Sequence, residues 1–175
     1  MPRFPTPPPL PSEILTRVIR VAALDGRIVL WSSGVFALIS AAGHSAIGAI
    51  IGLAAAGTGA IEVHGASMLS RTDIRGINWA IRAQLLLLLT ILFYCAACIA
   101  NFDASLFRDQ AQFKAFLSQN GLTVTQGVDL LREVWVIGYV VVAVVSVVYQ
   151  GGMAIYYARN RRVILQAMEE IGPAA

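Results

Sequence analysis

Hydrophobic positions run through three long stretches of the chain, and the charged positions are gathered between them. Residues 28–61, 83–102 and 134–158 contain no Asp, Glu, Lys or Arg. Apolar stretches of about 18 residues or more without charge are typical of helices that cross a lipid bilayer. The pattern therefore predicts an all-α integral membrane protein.

The lengths of these stretches predict the number of spans. The second and third contain 20 and 25 residues, and at about 1.5 Å per residue each crosses a hydrocarbon core about 30 Å thick once. The first contains 34 residues, too many for one crossing, and predicts a hairpin of two helices. We place its turn at Gly43-His44-Ser45, because Gly commonly ends helices and Ser commonly caps them. The result is a four-helix bundle with spans at about 22–43, 45–68, 79–102 and 133–158.

Basic residues predict the orientation of the four spans. Ten of the 13 Lys and Arg residues lie on the side that holds both termini and the connection 62–82. Basic residues near the ends of spans are retained in the cytoplasm. We therefore predict a multi-pass protein of the cell's inner (plasma) membrane with both termini cytoplasmic.

The chain divides into a leader, a membrane domain and a tail. Residues 1–12 hold six prolines in the first eleven positions, which is typical of a flexible, extended polyproline segment. Residues 13–158 form the predicted four-span domain, and residues 159–175 form a cytoplasmic amphipathic tail. The outer loop, 103–132, is too short for a second folded domain.

Amphipathic spacing predicts three short helices outside the spans. Apolar residues recur at i, i+4 and i+8 from Ile14 to Ala22, and again from Val163 to Ile171. These two helices are expected to lie on the cytoplasmic leaflet or to pack against each other. A third helix is expected over 106–117 in the outer loop, ended by the Asn-Gly turn that follows.

Small residues mark the predicted packing surface. Gly48, Gly52, Ala56 and Ala60 recur every four residues in the second span, and Gly151-Gly152 lies in the fourth. Small residues let two membrane helices approach closely and gain dispersion contacts. We predict that the second span packs tightly, either against another span of the same chain or against a second copy in a homo-oligomer.

Polar residues at the cytoplasmic ends of the spans form a candidate ion or proton pathway. Glu62 lies at the end of an apolar helix, where a carboxylate is costly unless it reaches water or a partner. Asp25, by contrast, is expected near the lipid headgroups. The alternative interpretation is a set of salt bridges and hydrogen bonds that locks the helix ends. The candidate pathway residues are Glu62, His64, Arg82, Gln84 and Gln150.

Two cysteines form a second candidate site. Cys95-Ala-Ala-Cys98 lies near the outer end of the third span. In a four-span bundle this motif resembles the membrane thiol oxidoreductases of the vitamin K epoxide reductase and disulfide-forming quinone reductase types. The resemblance implies a redox-active pair, but those families use further cysteines and this chain has 2. The alternative is a pair of small buried side chains.

The motifs and the composition together limit the function. Charged residues make up 13 % of the chain, against about 25 % in a soluble domain, which excludes an ordinary soluble enzyme and a nucleic-acid-binding domain. The sequence shows neither a Walker loop nor a HExxH motif, and it predicts no catalytic residue, metal site or cofactor. We predict a non-enzymatic membrane protein, either a homo-oligomeric scaffold or a channel- or transporter-type subunit, with lipid and another membrane protein as candidate partners. A thiol oxidoreductase that uses Cys95 and Cys98 is the alternative.

Overall fold

The computed structural model describes residues 10–105 and 110–171, and within these ranges the regular structure is all helical. Residues 1–9 of the predicted leader, residues 106–109 of the predicted outer-loop helix and the last four residues of the tail lie outside the described residues. The helices are α1 (Pro11–Ala42), α2 (Ala46–Ser70), α3 (Arg75–Ala100), α4 (Ala111–Gln119) and α5 (Val124–Ile171).

Four of these helices fit the predicted membrane fold. α1, α2, α3 and α5 are each long and apolar enough to cross a bilayer. This confirms the predicted fold class, an all-α membrane protein with four spanning helices, as in a four-helix bundle. The amphipathic segments expected at the two ends of the chain are not separate helices, because each continues a long helix, α1 or α5, without a break.

A three-residue turn joins α1 to α2. Gly43-His44-Ser45 lies between the two helices, and His44 adopts a left-handed backbone conformation with a φ of 58°. The Ser45 hydroxyl oxygen accepts a hydrogen bond from the backbone N–H of Gly48 at 3.2 Å. Ser45 thereby satisfies one of the unpaired N–H groups at the start of α2. Such a short connection makes α1 and α2 neighbours with opposite directions.

Glycines allow α1 and α2 to lie in close contact. A Cβ atom added at Gly52 would lie 2.8 Å from the backbone of Ala37, and one added at Gly59 would lie 2.6 Å from the Leu30 nitrogen. Gly48 faces the side chain of Ser40 at a similar distance. Backbone atoms cannot rotate away as a side chain does, so the helix spacing at Gly52 and Gly59 requires glycine.

The remaining residues of the predicted packing surface differ in their surroundings. Ala56 is buried, whereas Ala60 is exposed. Gly151 and Gly152 lie inside α5, and an added Cβ at either position would meet no described atom within 4 Å. The inner face of the stripe in α2 therefore packs within the chain, while Ala60 and the glycine pair make no such contact in the described part of the protein.

The main core joins α1 to the later part of α5. The first turns of α1 and the last turns of α5 each carry an apolar stripe, and the two stripes meet in one buried cluster with residues of α2 and α3. Burial of these two stripes removes their apolar surface from water, which stabilises the contact between the helices. The cluster consists of Leu15, Val18, Ala22, Ala66, Leu69, Ile77, Ala80, Tyr157, Ile164 and Ala167.

The chain forms two compact units. The first contains Met1–Thr90 and Tyr149–Ala175, and the second contains Ile91–Val148. In the second unit Thr123 and Gln126 cap α5 reciprocally: the Gln126 side-chain oxygen accepts from the Thr123 N–H at 3.0 Å, and the Thr123 hydroxyl accepts from the Gln126 N–H at 3.3 Å. This capping box sets the start of α5.

Candidate ion or proton site

Five polar side chains form a hydrogen-bonded chain in the first unit. Gln84 Nε2 donates to Asp25 Oδ2 at 2.7 Å and to Glu62 Oε1 at 2.8 Å. The Tyr157 hydroxyl donates to the same Glu62 oxygen at 2.7 Å, and the Tyr149 hydroxyl donates to Asp25 Oδ1 at 2.9 Å. We term these five residues, which come from α1, α2, α3 and α5, the carboxylate cluster.

The glycine contact between α1 and α2 positions the two carboxyl groups. Gly26, which follows Asp25, lies so close to α2 that an added Cβ would be 2.9 Å from the Gly59 carbonyl oxygen. Glu62 follows Gly59 by three residues, so it lies on the same side of α2, about one turn further along. Close packing of the two backbones therefore brings Asp25 and Glu62 within reach of the same amide nitrogen.

The tyrosines reach the cluster because of their spacing in α5. Tyr149 and Tyr157 are eight residues apart, slightly more than two helical turns, so they lie on one side of the helix about 12 Å apart along its axis. Tyr157 is fully buried, whereas Tyr149 is 49 % exposed and reaches Asp25 with its hydroxyl group. α5 thus supplies one hydroxyl donor to each carboxyl group.

The cluster is buried among helices that are long enough to span a membrane. Glu62 is 1 % exposed, Gln84 is 0 % exposed and Asp25 is 9 % exposed. Glu62 precedes the end of α2 by eight residues and Gln84 follows the start of α3 by nine, which places both about 12 to 14 Å from the α2–α3 connection. Both residues therefore lie about two helical turns away from the polar α2–α3 connection, which carries Arg71 and Asp73.

Neutral groups supply the hydrogen bonds that the described residues give to the two carboxyl groups. The donors are one amide and two hydroxyl groups. Arg82, two residues from Gln84, is exposed, and its guanidinium group lies 5.6 Å from the centre of the Trp79 ring. A buried carboxylate is costly without compensating positive charge, so the cluster is suited to take up a positively charged species.

The structure divides the predicted pathway residues into two groups. Glu62 and Gln84 lie in the carboxylate cluster, and Gln150 is buried in α5 next to Tyr149. His64 is exposed, and its ring meets the edge of Trp79 at a centroid distance of 6.3 Å. Arg82 contacts the same Trp79, so His64 and Arg82 form a separate group around this side chain rather than part of the cluster.

Three cluster members were missed by the sequence analysis. Asp25 was expected near the headgroups, yet it continues the buried stripe of α1 that contains Leu15, Val18 and Ala22, with spacings of three and four residues. Tyr157 likewise belongs to the buried face of α5. That periodicity is the signal that identifies Asp25 and Tyr157 as inward-facing, whereas Tyr149 has no comparable signal in the sequence.

The cysteine pair lies in the second unit. Cys95 and Cys98 are free thiols in α3; Cys95 is buried and Cys98 is partly exposed. The Trp135 Nε1 group donates to the backbone carbonyl of Cys98 at 3.0 Å, and the rings of Trp135 and Tyr139 lie edge to face with centroids 5.1 Å apart. An apolar groove of about 340 Å³ runs along this part of α5. Cys98 thus lies in an aromatic and largely apolar setting.

Comparisons of the chain with protein-family models, with curated proteins and with solved structures find no match. Among the described residues, no group of three or more His, Cys, Asp or Glu side chains could hold a metal ion.

Proposed function

We propose that the protein is a non-enzymatic membrane protein of the channel or transporter type, in which a cation or proton passes through the carboxylate cluster. The observation that supports this proposal is the pair Asp25 and Glu62, buried among spanning helices and hydrogen-bonded by neutral donors. Ionisable side chains are costly inside membranes, and where they occur they commonly serve ion pathways and proton relays.

The rival proposal is a scaffold in which the cluster only joins the helices. Apolar side chains of similar volume often stabilise a buried site as well as, or better than, charged groups do. Two carboxyl groups that share one amide nitrogen also repel each other when both are ionised. A helix-joining role therefore gives no physical reason for placing acids at both positions, whereas cation and proton pathways commonly use such groups.

Flux through proteoliposomes tests the transport proposal. With the full chain reconstituted and a cation or pH gradient imposed, we expect Glu62→Gln to lower the flux by about tenfold or more, equivalent to at least about 1.4 kcal/mol. The physical reason is that the amide keeps the shape of the side chain but removes the ionisable group. Glu133→Gln, which changes an exposed carboxylate of α5, should leave the flux unchanged.

Two outcomes of that experiment contradict the transport proposal. One is wild-type flux equal to that of empty liposomes, and the other is a Glu62→Gln flux equal to the wild-type value. Either result favours the scaffold. Asp25→Asn provides an independent second variant at the other carboxyl group, and the same reduction is expected.

We further propose that the protein lies in the inner (plasma) membrane with both termini cytoplasmic, on the basis of the basic residues described above. Asp73→Cys and Gln110→Cys, each in a chain whose native cysteines are replaced by serine, test this orientation. A membrane-impermeant maleimide should label position 110 in intact cells and position 73 only after permeabilisation. Labelling of both positions from the same side would contradict the four-span topology.

Assembly as a homo-oligomer is a further part of the proposal. The inner face of α2 is occupied by α1 of the same chain, but Ala60 leaves a small residue on its exposed face. Small residues on a lipid-facing helix permit close approach of a second helix. The mass of the protein in nanodiscs, measured by light scattering, distinguishes an oligomer from a monomer.

A further inference from the structure

Two buried amide oxygens near the carboxylate cluster point to a ligand. Gln84 Oε1 and Gln150 Oε1 have no hydrogen-bond partner among the described residues. Gln84 is fully buried and Gln150 is 7 % exposed. A buried carbonyl oxygen without a partner is unfavourable, because it has lost its hydrogen bonds to water without replacing them.

Gln84 belongs to the carboxylate cluster, and Gln150 is adjacent to a cluster member in the sequence of α5. The amide nitrogen of Gln84 bridges Asp25 and Glu62, so its unpaired oxygen is on the same small planar group. Gln150 follows Tyr149, whose hydroxyl binds Asp25. It also precedes Tyr157 by seven residues, two helical turns, and so shares the buried face of α5 with that cluster member.

The oxygen atoms favour a hard cation over a proton as the ligand. A proton held by Asp25 or Glu62 gives a single O–H donor, which can pair with the Gln84 oxygen only after that amide rotates and leaves the Gln150 oxygen without a partner among the described residues. Hard cations bind carboxylate and carbonyl oxygens together. A cation therefore accounts for the two carboxyl groups and the two amide oxygens at once.

The same oxygen ligands favour a monovalent cation over a divalent one. Ca²⁺ prefers about six to eight oxygen ligands, and Mg²⁺ demands near-octahedral geometry and retains several water molecules. The site offers the two carboxyl groups of the cluster and the amide oxygens of Gln84 and Gln150. Three of the four carboxyl oxygens already accept hydrogen bonds, so fewer oxygens are free than a divalent cation demands, and an alkali cation is the better match.

We propose that Asp25, Glu62, Gln84 and Gln150 bind one monovalent alkali cation, for which Na⁺ is the probe. This inference rests on the proposed function, because it identifies the species that the carboxylate cluster handles. Rotation of the Gln84 amide by half a turn exchanges the positions of its nitrogen and oxygen. The oxygen then takes the place of the nitrogen that donates to both carboxylates, and it can bind the cation there.

Direct binding of radioactive ²²Na⁺ to the purified full chain tests this site independently of transport. In nanodiscs at constant ionic strength, with N-methylglucamine as the replacement cation, we expect saturable binding that unlabelled Na⁺ displaces. Asp25→Asn should weaken the binding by about tenfold or more, since it removes a charged ligand. Gln150→Leu should also weaken it by about tenfold, since it removes one oxygen.

Matched variants keep this test decisive. Gln112→Leu, at an exposed position of α4, should leave Na⁺ affinity unchanged. Gln150 forms none of the hydrogen bonds of the carboxylate cluster, so its leucine variant should keep the wild-type helix content and elution volume. If the Gln150→Leu variant does not keep them, the Na⁺ affinity of Asp25→Asn alone tests the site.

The binding measurement tests the cation site, and the flux measurement tests the transport function. An absence of saturable Na⁺ binding in the wild type, or an affinity unchanged by both variants, overturns the cation site. Flux that depends on protons and not on Na⁺ overturns it too, while supporting transport through the cluster. Saturable Na⁺ binding weakened by the variants, together with no flux, supports the site and contradicts the transport function.

Discussion

Alanine at Gly59 should lower the free energy of unfolding by about 2 kcal/mol, as overpacking of a tightly filled contact commonly does. The added Cβ would lie 2.6 Å from the Leu30 nitrogen and 2.7 Å from the Gly26 oxygen. Both are backbone atoms, so the strain is relieved only if α1 and α2 move apart. Reversible unfolding in mixtures of mild detergent and dodecyl sulfate, followed by tryptophan fluorescence, measures the loss.

Gly57 provides the matched control on the same helix. An added Cβ at Gly57 meets no described atom within 4 Å, and alanine is the better helix former by up to about 1 kcal/mol. Gly57→Ala should therefore be neutral or slightly stabilising. Equal effects of the two alanine variants would show that helix propensity, and not the α1–α2 contact, determines the role of these glycines.

The Gly59 substitution should also affect the carboxylate cluster. Because the Gly26–Gly59 contact is what brings Asp25 close to Glu62, separation of the helices lengthens the hydrogen bonds through Gln84. We expect flux and Na⁺ binding to fall together in Gly59→Ala and to be retained in Gly57→Ala. Full flux in a Gly59→Ala protein that is clearly destabilised would contradict this prediction, because it would show that transport does not depend on the α1–α2 contact.

Leucine at Gln84 should have the largest effect on stability, a loss of about 3 to 5 kcal/mol, because it leaves two buried carboxyl groups without their shared partner. Gln84 donates to both acids from one nitrogen. Its removal deletes both hydrogen bonds and leaves the acids facing each other. The same denaturation assay measures the loss, with Gln112→Leu as the exposed control.

A double-mutant cycle separates this electrostatic effect from a simple loss of packing. If the cost of Gln84→Leu comes from the two acids that have lost their shared amide donor, addition of Asp25→Asn removes one of them and the double variant loses less than the sum of the single losses. Additive losses would contradict the proposed coupling between Gln84 and Asp25. Residues in direct contact commonly show coupling of about 0.5 to 3 kcal/mol, which is large enough to measure.

Membrane character, the number of spanning helices and the first turn could be predicted from the sequence. A bilayer requires each spanning backbone to satisfy its own hydrogen bonds, so long uncharged stretches become helices whatever surrounds them. Gly43 and Ser45 then locate the break in the longest stretch through local preferences for helix ends. These features depend on short-range physics, which is why they are visible in one sequence.

The partners of the polar side chains depended on the tertiary structure. Depth along a helix is readable from the sequence and groups Glu62 with Gln84, which hydrogen-bond to each other, but the direction in which a side chain leaves its helix also depends on how the helices rotate and pack. That rotation brings Asp25 inward and leaves Arg82 exposed, where it contacts Trp79 of its own helix. The position of a residue along its helix could not by itself distinguish an exposed side chain from an inward-facing one.

The sequence by itself determined that this chain is a helical membrane protein with a small number of polar residues at one end of its spans. Only the tertiary structure decided that Asp25, Glu62, Gln84, Tyr149 and Tyr157 form one hydrogen-bonded group. The physical reason is that lipid solvation acts on each helix separately, whereas the cluster forms where Gly26 and Gly59 let two backbones meet.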